Sequence, residues 1–125
     1  MKLTLPVHIE EAAGASDKLY YVLQERMRLD SVDLVSNGGI AADGTNFVTF
    51  TVYGNDKTTP AFAWSTETGK EGVIADATVK SLADKGSEKV VYEAGTIIYV
   101  DLAQASSGQV VDAVLSLHFS QARKV

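Results

Sequence analysis

The chain has no cysteine. This excludes a disulfide framework and a thiolate metal centre, and leaves the redox compartment open. Proline occurs only twice against ten glycines, a balance that fits many turns rather than a rigid linker. No apolar run approaches the roughly 20 residues of a transmembrane helix, so no membrane partner is expected. Met1–Glu10 carries one lysine and scattered apolar residues in place of a continuous hydrophobic stretch. The expectation is a soluble protein without a secretory signal of its own. Basic charge is also scarce, with 11 Lys and Arg against 16 Asp and Glu and a net charge of -5. An acidic surface is a poor match for phosphate backbones, so no nucleic-acid partner is expected. The one basic cluster, Arg123-Lys124, reads as a solubilising tail.

What the chain does have is strand-forming pattern. At 125 residues with 46% hydrophobic and 22% charged content, it suits one folded domain with one core. The clearest stretch is Gln109–Ser120. Val111, Ala113, Leu115, Leu117 and Phe119 form an apolar row at period two, and Val110, Asp112, Val114, Ser116 and His118 form a mixed row. Alternate side chains of a strand point to opposite faces, so one row belongs to a core and the other is partly wet.

Other strands follow the same logic. Leu3–Ile9 is a short strand whose Pro6 cannot donate to a ladder, which places it at a sheet edge. Lys18–Gln24 puts Leu19, Tyr21 and Leu23 on one face. In Met27–Ser36, Met27 and Leu29 alternate and then Val32 and Leu34 alternate one residue out of phase. An extra residue near Asp30-Ser31 restores both pairs to one face, which is a β-bulge. Asn37-Gly38-Gly39 ends that strand, and Asp43-Gly44 is a turn signal. Thr45–Tyr53 points Val48, Phe50 and Val52 inward, Gly54-Asn55-Asp56-Lys57 turns, and Ala61–Ser65 is a short strand. Thr66–Gly72 is a polar loop. Val73–Ala83 reads as a strand through Ala75, Ala77 and Val79, with one or two helical turns as the alternative. Lys85-Gly86 turns, Lys89–Tyr92 is extended, Glu93-Ala94-Gly95 is tight, and Thr96–Leu102 turns Ile98, Val100 and Leu102 inward. Eight or nine short strands with turns between them predict an all-β, antiparallel, jelly-roll-like sandwich. Residues 1–125 form one domain in this reading, with 1–17 an edge strand plus an arm.

Chemistry is harder to find. His8 and His118 come from the first and last strands, which a sandwich can bring together, yet nothing nearby in sequence completes a zinc ligand set. No metal site and no cofactor are expected. The Gly-x-Ser-x-Gly elbow of a hydrolase is absent, and Ser106-Ser107-Gly108 is a turn. No glycine-rich loop opens a helix to cradle phosphate. The carboxylates read as solvated charge, and Asp43-Gly44-Thr45-Asn46 lacks the spacing of an EF-hand. No catalytic residue, and no small-molecule substrate, is expected. Tyr53, Phe62 and Trp64 lie on neighbouring strands; exposed together, these rings would form a platform for sugars or a partner, whereas large rings are usually buried.

Val91-Tyr92-Glu93-Ala94-Gly95-Thr96-Ile97-Ile98-Tyr99-Val100, followed by a small-residue loop and a long final strand, resembles the closing half of small tailed-phage jelly-roll proteins. Met27–Val35, the glycine-rich loop and Asn46–Val52 are similar to the earlier half of that family. The resemblance spans nearly the whole chain through strand order and turn placement. It implies a non-enzymatic virion component on the capsid exterior, made in the host cytoplasm. Such a component is a head decoration (cement) protein or head-fibre module, often trimeric, seated on the major capsid protein. The missing stalk points to decoration. A homotrimer would use outward apolar residues: Val110 and Val114, or Ile97 and Tyr99. The competing function is a carbohydrate- or receptor-binding module that uses Tyr53, Phe62 and Trp64.

Overall fold

The computed structural model describes residues 2–14, 17–54, 60–70, 73–84 and 90–122. All of their regular structure is strand: β1 (Lys2–Glu11), β2 (Asp17–Val22), β3 (Met27–Ser36), β4 (Val48–Gly54), β5 (Pro60–Ser65), β6 (Lys80–Asp84), β7 (Val90–Tyr92), β8 (Ile97–Gln104) and β9 (Val111–Gln121). One sheet, called A, has the order β1-β9-β3-β6, with β7 also paired to β3. The second, called B, has the order β2-β8-β4-β5. The first strand lies beside the last and the second beside the eighth, so the chain is rolled up as a jelly roll of two antiparallel sheets.

Period-two patterning explains the layers. In β9, Val111, Ala113, Leu115, Leu117 and Phe119 are all at most 2% exposed. This strand lies between β1 and β3, and its apolar row faces Phe50, Val52, Ile98, Val100 and Leu102 of sheet B in one core. In β3 the pairing with β9 slips between Leu29 and Ser31: Leu29 opposes Phe119 and Ser31 opposes His118. Asp30 is therefore the additional residue, and the bulge returns Val32 and Leu34 to the core face beside Met27 and Leu29. The sequence phase change and the structure locate the same bulge.

Several boundaries move. The first strand is longer than Leu3–Ile9, since all of Lys2–Glu11 pairs with β9. It is an edge strand, as Pro6 requires. The 12–14 connection is held down by Gln104, whose amide accepts from the Gly14 N–H and donates to the Ala12 carbonyl. Residues 2–14 thus fold onto their own sandwich.

The strand expected over Val73–Ala83 is corrected. Only Lys80–Asp84 is a strand. Val73 and Val79 are exposed, and Ile74 is the buried residue, joined to Ile40 by reciprocal backbone hydrogen bonds of 2.8 Å. Ala77 has a φ of +52°, a left-handed conformation that breaks extended pairing. The alternation of Ala75, Ala77 and Val79 carried little hydrophobic weight because two of its members are alanine. The turns read at Asn55-Asp56-Lys57 and Lys85-Gly86 lie outside the described residues, as do Gly72 and Arg123-Lys124.

Where sheet A meets the end of sheet B, Tyr92 lies across Gly54. A Cβ built on Gly54 would come 2.1 Å from the Tyr92 ring, so only glycine fits beneath it.

Leu115, fully buried on the central strand, tests the core directly. Leu115→Ala should cost about 2–5 kcal/mol in urea unfolding, whereas Val114→Ala on the outward row should cost under about 1 kcal/mol. Equal losses would mean that β9 does not divide inside from outside in this way.

Candidate functional site

The two outer faces of the sandwich differ in kind. On sheet A many outward residues are polar and hydrogen-bonded, with Val35, Val91 and Val114 exposed among them. Arg28 reaches Asp30 at 2.9 Å and the Ser120 hydroxyl at 3.0 Å. On sheet B the outward row crosses β2, β8 and β4: Tyr20 is opposite Tyr99, which is opposite Tyr53. Tyr20 and Tyr99 meet edge to face, with centroids 5.0 Å apart. One step along, Val22 opposes Ile97, and Tyr20, Val22 and Ile97 are 57%, 45% and 38% exposed. Aromatic and aliphatic groups thus share one side of a rigid sheet.

An open groove borders this face, where the edge strands β1 and β2 leave the sandwich unclosed. Leu5, Val7, Tyr21, Ile98 and Val100 line it, and Tyr20 links it to the outward row. At the end of the sandwich, amide side chains brace the loops. Gln109 bonds the backbone of Ala41 in both directions and donates to the Asn46 carbonyl, and the Asn46 side chain accepts from the Ser107 N–H.

The four candidate contacts separate into two pairs. Ile97 and Tyr99 belong to the sheet B face. Val114 lies on the outer side of sheet A opposite Val35, and Val110, 69% exposed, precedes β9. The stacking row of Tyr53, Phe62 and Trp64 does not form. Phe62 opposes Val52 and Trp64 opposes Phe50, so both rings share the inward parity of β4 and are 6% and 9% exposed. Tyr53 points the other way. Lys80 sits 5.2 Å over the Trp64 ring, closing the side of the sandwich opposite the groove.

The histidines do not come together. His8 opposes Val114 and His118 opposes Thr4, a separation of four residues along β9, or about 13 Å at strand rise. Each meets a carboxylate instead. His118 Nε2 lies 2.9 Å from Asp33 and its Nδ1 lies 3.2 Å from the Thr4 hydroxyl. A carboxylate only accepts, so Nε2–H donates to Asp33, and the Thr4 hydroxyl, which can donate or accept, serves Nδ1. This hydroxyl–imidazole–carboxylate chain has the members of a hydrolytic triad, but Thr4 lies on a regular strand rather than a strained nucleophile turn. What it does is tie β1, β9 and β3 together.

His8 Nε2 lies 2.9 Å from Asp112 Oδ1, and Asn37 Nδ2 donates to Asp112 Oδ2 at 3.0 Å. Glu10 is directly opposite Asp112. The hydrogen bonds from His8 and then Asn37 hold the Asp112 carboxyl below the usual carboxylate range. Asp43 is lowered in a similar way, by the backbone N–H groups of Asn46 and Thr45. Its Oδ1 accepts both at 2.7 Å, so this carboxylate closes its own turn. Sequence reading missed the His8–Asp112 and His118–Asp33 pairs because their members are 104 and 85 residues apart; only the strand register joins them.

Compared with known proteins, the chain matches no family model and no curated sequence.

A depressed carboxylate pKa gives stability that is present in full above the unfolded value and lost as pH falls through the folded one. Asp112→Ala should therefore be less stable than wild type at pH 7, and the gap should narrow as pH drops below about 4. Thermal unfolding across pH 2–7 measures it, and a gap independent of pH would rule out this origin.

Proposed function

We propose that this protein works by surface contact rather than by chemistry, as a decoration (cement) component of a tailed-phage head seated on the major capsid protein. The observation that carries the proposal is the contrast between the two outer faces. Sheet A ties polar outward side chains such as His8, Arg28 and His118 into bonds within the chain and exposes Val35 and Val114 between them. Sheet B leaves Tyr20, Val22 and Ile97 in water beside Tyr99. Contiguous exposed apolar groups on a sheet mark a contact surface, and tyrosine is enriched at such surfaces because it adds large area at low entropic cost.

The jelly-roll order fits the family that the sequence resembles, and the braced loops fit a part that must keep its shape when it docks. A homotrimer is the assembly we assign to the sheet B face, with Ile97 and Tyr99 as central contacts. Val110 and Val114 lie elsewhere and are free to serve the capsid contact. Sugar binding fares less well: Phe62 and Trp64 are in the core, and the edge-to-face Tyr20–Tyr99 pair does not offer the flat double ring surface that stacks on a pyranose.

Sedimentation equilibrium tests the assembly. Wild type should sediment as a trimer and Ile97→Ser/Tyr20→Ser as a monomer with an unchanged β-type circular dichroism spectrum. A wild-type chain that is monomeric at every concentration would remove the assembly, and failure to bind particles of the tailed-phage major capsid protein from the same source would remove the cement role.

A further inference from the structure

We propose that His8, Glu10 and Asp112 form a zinc-binding site on the outer face of sheet A. One ligand atom from each lies within 4.8 Å of the others. Ligands on a tetrahedral zinc at about 2.1 Å are about 3.4 Å apart, and His8 and Asp112 are already at 2.9 Å. The remaining gap is within reach of a rotation of the exposed Glu10 side chain.

The backbone places these groups without help from a loop. His8 and Glu10 are two residues apart on β1 and so share a face. Asp112 stands directly across the ladder from Glu10. That position is unfavourable for two carboxylates alone, because like charges directly opposite on paired strands repel. A bound dication would relieve that repulsion. Asn37, from the end of β3, bonds Asp112 Oδ2 and leaves Oδ1 turned to His8. A neighbour that orients a ligating carboxylate in this way is a regular part of metal sites.

The donor set selects the ion. One imidazole nitrogen and two carboxylate oxygens suit zinc and similar borderline metals, whereas calcium takes six to eight oxygens. On binding, the His8 Nε2 lone pair goes to the metal and the ring proton moves to Nδ1, so the His8–Asp112 hydrogen bond is replaced by two metal–ligand bonds. The fourth position faces solvent and takes water. The bound ion would pin the edge strand β1 to the central strand β9.

The test uses the full chain, stripped with EDTA and titrated with zinc chloride by calorimetry, with thermal unfolding alongside. One zinc per chain should bind and raise the melting temperature. His8→Ala should abolish the heat, Glu10→Gln should weaken binding at least tenfold, and Asn37→Ala about tenfold. His118→Ala, which removes the other histidine–aspartate pair, should bind as wild type does. Circular dichroism confirms that each variant is folded. No saturable binding by wild type would overturn the site, and so would unchanged binding by His8→Ala or its loss in His118→Ala.

Discussion

Burial of the Val111–Phe119 row is the constraint on which the other features depend. Because the row is fully inside and the strand is regular, the intervening residues Asp112, Val114, Ser116 and His118 must point outward. Both neighbours of β9 inherit this parity through the ladder. A shift of one residue in the pairing would turn the whole row to solvent. Val111, Leu115, Leu117 and Phe119 each contribute roughly 1.5–3 kcal/mol by leaving water, so the register is held by the sum of the row and not by any one contact.

Two devices protect that register. Asp30 takes up the extra residue in β3, so that Met27, Leu29, Val32 and Leu34 all reach the core. Pro6 occupies the middle of β1, where the missing N–H interrupts the outward edge against addition of another strand. The open side between β1 and β2 is thereby lined with apolar groups, yet it is a poor template for continuous backbone pairing.

Patterns that depend on neighbouring residues were legible in the sequence. The β9 row, the β8 row of Ile98, Val100 and Leu102, and the slip at Asp30 are all periodicities within about ten residues. The Val73–Val79 segment misled because alanines alternate without much free energy behind them, while the deciding features were the conformation at Ala77 and the pairing of Ile74 with Ile40. Phe62 and Trp64 are instructive in the opposite sense: their parity relative to Phe50 and Val52 decides between core and platform, and parity across a hairpin is set by its pairing register. The histidine partners were out of reach for the same reason. No local spacing connects His8 to Asp112 or Thr4 to His118; the antiparallel register of the first strand on the last does so.

That same register makes the two faces independent. On sheet A the outward His8 and His118 meet carboxylates, and on sheet B outward residues build the tyrosine row, with the whole core between them. On sheet A the Thr4–His118–Asp33 and His8–Asp112 contacts join neighbouring strands, whereas the outer face of sheet B exposes Tyr20, Val22 and Ile97. A sandwich that buries one row per strand has only its outer rows left to specialise. In this one, the polar part of the outer row of sheet A holds β1, β9 and β3 together, and the outer row of sheet B carries Tyr20, Tyr99 and Tyr53 beside Val22 and Ile97.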